Sequence, residues 1–370
     1  MTTPDLFSFF ESAHERRSPV EPGVLPTYAP TTAGAASCAD LLADLNGPQR
    51  EAVLHSGSPV LVVAGAGSGK TRVLTRRIAH LVGERGVHPG SILAITFTNK
   101  AAAEMKARVV DLVGNRAKPM WVSTFHSAAV RMLRADIDRL DISRNFSIYD
   151  DADAKRLITL VTRDKNLDPK KFQPRAIMNW ISNQKNELIA PDQAVATARS
   201  GNDRTNAEVY GEYQRRLRAA NALDFDDLIM CTVTMLRRFP EVREQYRRRF
   251  RRVLVDEYQD TNTAQYQFIR ELCGDDAPGA TDGAPSVDSP ELMVVGDSDQ
   301  SIYAFRGATI RNIIDFEKDF PGARTIRLEQ NYRSTQTILT AANNLIKVNP
   351  NRLDKNLWTD QGDGCLLYTS

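Results

Sequence analysis

The chain has 370 residues, 42% hydrophobic and 25% charged, and its 48 Lys and Arg against 46 Asp and Glu leave a net charge of only +2. Length and composition fit two or three globular domains, and bulk charge alone does not announce a nucleic-acid partner. No apolar run approaches the roughly 20 residues of a membrane span. The N-terminus carries Asp5, Glu11 and Glu15 where a secretory signal has basic and then apolar residues, and Cys38, Cys231, Cys273 and Cys365 are too scattered for a disulfide framework or a zinc site, so a cytoplasmic protein is expected.

Residues 1–40 are rich in Pro, Thr, Ser and Ala without a sustained period and read as a flexible extension. From Leu45 onward short apolar runs alternate with helical stretches. Pro59-Val60-Leu61-Val62-Val63 is the first strand candidate, and a helix is expected from Lys70 to about Val82. Ser91–Thr96, Arg252–Val255 and Leu292–Val295 repeat the design. Continuous β-branched runs alternating with helices predict an α/β fold whose parallel sheet is covered on both faces. Residues 147–220 show helical periodicity, many charges and no strong strand, so a helical insertion is expected there. The crowded Arg237, Arg238, Arg243, Arg247, Arg248, Arg249, Arg251 and Arg252 read as a solvated helix face, with phosphate contact the alternative. Residues 275–290 are low-complexity and read as a surface loop.

Ala64-Gly65-Ala66-Gly67-Ser68-Gly69-Lys70-Thr71 follows a predicted strand and opens a predicted helix, which is the setting a phosphate-binding loop requires. Glycines let backbone N–H groups turn towards phosphates, and the helix N-terminus adds a favourable dipole. Lys70 is the candidate for the β- and γ-phosphates and Thr71 for Mg²⁺, with Arg72 counted among the nucleotide-binding residues. The strict pattern has Gly where this chain has Ala64. A second strand must bring a metal carboxylate, and Val253-Leu254-Val255-Asp256-Glu257 supplies Asp256 for Mg²⁺ and Glu257 to accept a proton from the attacking water.

With these motifs in place the chain resembles the superfamily 1 DNA helicases of the UvrD/PcrA/Rep type. Leu45–Val53 looks like the family's Q motif, in which Gln49 meets the adenine edge. Asp256-Glu257-Tyr258-Gln259-Asp260-Thr261 looks like motif II. Val295–Tyr303 looks like motif III, with Gln300 as γ-phosphate sensor. Gln330-Asn331-Tyr332-Arg333-Ser334 looks like motif IV, in which Tyr332 stacks on adenine and Arg333 contacts the γ-phosphate. Ala94–Ala102 resembles motif Ia, Val122–Ser127 motif Ib, and Leu223–Leu228 a further block near the strand path. The DNA contacts implied are Phe97, Thr98, Asn99, Lys100, Thr124, His126, Phe225, Tyr303, Phe305 and Arg306. Aromatic rings among them suit a sequence-independent grip on single strands. Many relatives carry Trp where this chain has Phe305.

The resemblance covers about residues 41–360 and implies a P-loop NTPase (RecA-like) parallel sheet. Residues 41–146 and 221–327 are then motor domain 1A, 147–220 a helical subdomain 1B, and 328–370 the start of a truncated motor domain 2A. It implies an ATP- and Mg²⁺-dependent 3′→5′ helicase of the repair and replication type, acting on single-stranded DNA and single-strand/duplex junctions. Because the family's second motor domain supplies a further arginine to the γ-phosphate, this chain is expected to bind ATP, hydrolyse it slowly and not translocate. The alternatives are a non-catalytic nucleotide-dependent DNA-binding module, a helicase subunit of a recombination helicase–nuclease, and a P-loop small-molecule kinase, which would need none of the DNA-contact blocks.

Overall fold

The computed structural model describes residues 38–274, 289–301, 308–309, 311–349, 353 and 355–364. The expected extension up to residue 37, most of the 275–290 loop, and Tyr303, Phe305 and Arg306 lie outside the described residues.

Eight strands are present among the described residues: β1 (Val60–Ala64), β2 (Ile92–Thr96), β3 (Trp121–Thr124), β4 (Ser147–Tyr149), β5 (Ala222–Asp224), β6 (Arg252–Val255), β7 (Glu291–Gly296) and β8 (Arg324–Leu328). Six of them build one sheet in the order β3-β2-β6-β7-β1-β8, and every pairing in it is parallel. Successive residues of a strand face opposite sides of a sheet, and the two cores divide accordingly. Leu61, Val63, Leu93, Ile95, Val253, Val255, Leu292 and Val294 join one apolar cluster. Val60, Val62, Ala64, Ile92, Ala94, Leu254, Met293 and Val295 join the other. Both faces are buried under helices, which is why β1, β2, β6 and β7 read as unbroken apolar runs.

The sheet has two strands more than those runs point to, and both are its edges. β3 has only its last two residues buried, and β8 alternates exposed Arg324 and Arg327 with buried Ile326 and Leu328. An edge strand needs apolar residues on one side only, so neither makes a run.

Between the halves of the sheet sequence, four helices (Asp151–Asp164, Pro174–Asn186, Pro191–Thr197 and Gly201–Ala219) close on an apolar cluster of their own that includes Ile158, Ile181, Tyr210, Tyr213 and Leu217. They hang from a small sheet absent from the sequence expectation, in which β4 pairs in parallel with β5. At its foot Lys185 is fully buried and ion-paired to Asp224 at 2.7 Å and Asp227 at 2.8 Å. Asp224 also accepts from the Tyr213 hydroxyl at 2.8 Å and caps the Phe225–Arg238 helix through the Asp227 amide. The net of opposite charges holds Asp224 below the usual carboxylate range despite burial.

The arginine run divides: Arg237, Arg238, Arg248 and Arg249 are exposed, as a solvated face would have them, while Arg243, Arg251 and Arg252 are half-buried and Arg247 is buried. Arg247 is buried and donates to the carbonyls of Glu271 and Gly274, ending the Thr263–Cys273 helix. Arg237 and Arg243 pair with Glu271, Arg252 pairs with Glu291, and Arg249 lies 4.5 Å over the Trp121 ring.

Candidate functional site

The chain leaves β1 at Ala64, turns through residues 65–69 and enters the Lys70–Gly83 helix. Gly67 (φ 71°) and Gly69 (φ 90°) hold left-handed backbone that L side chains rarely adopt. A Cβ on Gly69 would lie 2.8 Å from Gln49 Nε2, and one on Gly67 would lie 2.8 Å from Asn331 Nδ2. The loop is therefore glycine-rich for shape as well as for close approach. Ser68 Oγ donates to the Gly65 carbonyl at 2.7 Å and ties the turn together.

β6 lies two strands away from β1, with β7 between them. Asp256 and Glu257 sit immediately beyond its C-terminal end, and the Asp256 amide donates to the Ile95 carbonyl. Glu257 takes left-handed backbone (φ 49°), rare outside glycine, and its Oε2 lies 2.8 Å from Lys70 Nζ. Burial, reinforced by the Glu257 charge and opposed by Lys70, pushes the Asp256 carboxyl up to about 6. Gln259 is buried and donates through Nε2 to Glu257 Oε2 at 2.8 Å, while its Oε1 accepts from the Asp297 amide at 3.0 Å.

The residues present fit a magnesium nucleotide. Gly67 and Gly69 keep two positions of the loop free of side chains where phosphates approach a helix N-terminus. Thr71 and Asp256 offer the hard oxygen donors that Mg²⁺ takes. Among the described residues no group of three or more His, Cys, Asp or Glu side chains could hold a metal ion by itself.

The segment after β8 packs on the loop. Asn331 is buried; its Nδ2 donates to the Ala66 carbonyl at 2.5 Å and its Oδ1 accepts from the amides of Arg333 and Ser334, both at 2.7 Å. The Tyr332 amide donates to the Gly67 carbonyl at 3.0 Å. Tyr332 leaves a ring 39% exposed, with the Arg72 guanidinium 5.9 Å from its centroid and its hydroxyl accepting from Asn46 Nδ2 at 2.9 Å. Gln49, wholly buried, donates Nε2 to the Ser68 carbonyl at 2.8 Å. Gln49, Arg72 and Tyr332 thus gather beside the loop, whereas the Arg333 side chain is exposed. Gln300 is partly buried, and its carboxamide is hydrogen-bonded to Asp297.

The expected strand contacts group at a second edge. β2 and β3 pair with Thr96 opposite Thr124, which sets the loops after them side by side. Thr98 caps the Asn99–Val113 helix and Thr124 caps the Phe125–Asp136 helix, and Ser127 Oγ reaches Asn99 Oδ1 at 3.4 Å. Thr98, Asn99 and Lys100 are exposed and Phe97 is half-buried. The His126 and Phe225 rings meet edge to face at 6.0 Å. Burial lowers the His126 pKa, so its imidazole is neutral at pH 7 and offers hydrogen bonds and a ring rather than charge.

Sequence reasoning did not single out Asn46, Gln259, Asn331 or Lys355. Asn46, Gln259 and Asn331 lay inside motif blocks, and Asn46 also reads as a helix cap with Gln49 three residues on. For Lys355 no local signal exists.

Comparison with known proteins finds that residues 45–321 match the model of the UvrD/REP helicase N-terminal domain. The chain is 61% identical over 338 residues to ATP-dependent DNA helicase UvrD1 of Mycobacterium tuberculosis, covering 90% of this chain and 43% of that protein. It is 53% identical over 324 residues to ATP-dependent DNA helicase PcrA of Bacillus subtilis, covering 88% and 42% respectively. The chain therefore spans less than half the length of these curated relatives.

Proposed function

The chain belongs to the UvrD/REP helicase N-terminal domain family, and from that premise we propose that it binds ATP with Mg²⁺ and single-stranded DNA as the leading part of an ATP-dependent DNA helicase. The observation that carries the reading is the Lys70–Glu257 pair, which brings the loop lysine and the motif II carboxylate together across 187 residues of chain. Phosphates arriving over residues 65–69 compete with Glu257 for Lys70 and release its carboxylate to accept a proton from water. Thr71 and Asp256 would hold Mg²⁺, which when bound would supply positive charge to the phosphates. Gln49, Arg72 and Tyr332 take the base, and Gln300 and Arg333 meet the γ-phosphate.

Single-stranded DNA runs across the Phe97–Lys100, Thr124–His126 and Phe225 edge, and the sequence resemblance implies contacts from Tyr303, Phe305 and Arg306 as well. Two side-by-side helix N-termini suit phosphates, and exposed rings suit bases. In domain terms, 41–146 with 221–327 is the motor core, 147–220 the inserted subdomain and 328–370 the start of the second motor domain. Unwinding at junctions with 3′→5′ polarity is the activity of the longer protein that the sequence resemblance implies. No helix among the described residues is long and apolar enough to cross a membrane.

The test is ATP hydrolysis and ATP binding by this chain with and without single-stranded DNA, beside Lys70→Ala. Turnover or nucleotide affinity that responds to DNA and is lost in Lys70→Ala supports the reading. Nucleotide binding indifferent to DNA would point instead to a P-loop enzyme with a small-molecule substrate.

A further inference from the structure

Lys355 lies beyond every motif block in the chain, yet its side chain is almost wholly buried and ion-paired to both Asp297 and Asp299, the latter at 2.7 Å. Asp297 is itself buried and carries a second load: Gln300 Nε2 donates to its Oδ2, while Lys355 binds Oδ1. The Asp297 amide is fixed from behind by Gln259 Oε1 at 3.0 Å, and Gln259 in turn donates to Glu257 at 2.8 Å. Glu257 is 2.8 Å from Lys70. An unbroken polar chain therefore runs from the phosphate-loop lysine through Glu257, Gln259 and Asp297 to Gln300 on one branch and Lys355 on the other.

We propose that Lys355 is a positioning residue for the γ-phosphate, acting through Asp297 to hold the Gln300 carboxamide in its binding orientation. The proposal rests on the reading of Gln300 as the group that meets that phosphate. A primary amide nitrogen has two N–H donors. Asp297 takes one of them, which fixes the carboxamide plane and aims the other at an incoming oxygen. Asp297 holds that orientation because its other oxygen is bound by Lys355, and the same ammonium offsets the repulsion between buried Asp297 and half-buried Asp299 two residues on. Without it Asp297 loses the contact that fixes its Oδ1, and Gln300 loses its anchor.

The test is equilibrium binding of ADP and of the β,γ-imido analogue of ATP, each with Mg²⁺, to this chain. Lys355→Met is expected to weaken the analogue by about 10–100-fold relative to ADP, the worth of one hydrogen bond to a charged group. Gln300→Ala is expected to do the same, and the double variant to lose no more than either alone. Lys355→Arg should recover part of the preference. An ion cluster that serves only to anchor the chain segment would weaken both nucleotides alike, and that result overturns the proposal, as does an unchanged preference in Lys355→Met. If Gln300→Ala leaves the preference intact, the sensor reading of Gln300 falls first and the proposal falls with it. Should Lys355→Met not fold, Lys355→Met with Asp299→Asn restores the net charge of the cluster and carries the same comparison.

Discussion

Lys70 Nζ lies 2.8 Å from Glu257 Oε2, so the phosphate-loop lysine and the carboxylate assigned to water activation are each other's counter-charge. Gln259 Nε2 shares the same oxygen of Glu257, also at 2.8 Å. On the proposed reading, nucleotide binding and proton acceptance meet at this one carboxylate.

Replacing Glu257 by Gln removes the charge that competes for Lys70 while keeping the side chain's shape. Nucleotide affinity should hold or rise, and turnover should fall by about 10²–10⁴, the usual contribution of a positioned base. Lys70→Ala should lose nucleotide affinity instead. Titration with a fluorescent ATP analogue beside a phosphate-release assay separates the two. Equal loss of affinity in both variants would contradict the competition argument.

Gly67→Ala tests the loop geometry. Its φ of 71° disfavours any side chain, and the added methyl would come within 2.8 Å of Asn331 Nδ2 and 2.9 Å of Arg333 Cβ. The Asn331–Ala66 and Tyr332–Gly67 hydrogen bonds that seat the post-β8 segment on the loop would have to yield. Nucleotide affinity should drop sharply with only a modest fall in Tm, as measured by titration and thermal unfolding. Asn331→Ala should loosen the same contact from the other side, costing about 1–3 kcal/mol of stability for the orphaned buried partners.

Phe225→Ala addresses the strand-binding edge. Phe225 is 42% exposed and its ring centroid lies 6.0 Å from that of His126, so little packing is lost with it. If a base stacks there, affinity for a short oligothymidine should weaken by about 1–3 kcal/mol, with Tm nearly unchanged. Fluorescence anisotropy reads the first and thermal unfolding the second. Unaltered DNA affinity would move the strand path away from this helix start.

The interior of the fold was legible because β1, β2, β6 and β7 are buried on both faces and must be apolar throughout. The edge strands were not, since Arg324-Thr325-Ile326-Arg327-Leu328 needs apolar residues on one face only. The phosphate loop and the Asp256-Glu257 pair were legible because their chemistry is contiguous in sequence. Asn331 lay within a recognised block, yet nothing local tells that its carboxamide reaches Ala66, 265 positions away in sequence. Lys355 and Lys185 were invisible for the same reason: a lysine reads as solvated until the folded chain brings carboxylates to it.

Lys185 carries the last two expectations. It is fully buried between Asp224 and Asp227 and joins the inserted helices to the start of the Phe225–Arg238 helix. Lys185→Met leaves two buried carboxylates without their cation and should destabilise the protein by about 3–5 kcal/mol. The neighbouring Asp226 is pushed up to about 7 by burial and by the Asp224 charge. A carboxyl whose pKa is higher folded than unfolded supports folding fully below its ordinary value near 3.9 and withdraws that support as pH rises through about 7. Asp227 and Asp256, each raised to about 6, act in the same direction, while His80 and His126, both lowered, act against it. The wild-type curve alone therefore mixes signs, and the difference between Asp226→Asn and wild type reads Asp226 together with the neighbouring Asp224 and Asp227 carboxyls that its charge acts on. That difference should move in favour of the variant as pH rises from 5 to 8, because an amide never ionises. Thermal unfolding of both proteins at four pH values measures it, and parallel curves would mean that Asp226 titrates as an ordinary solvated carboxyl.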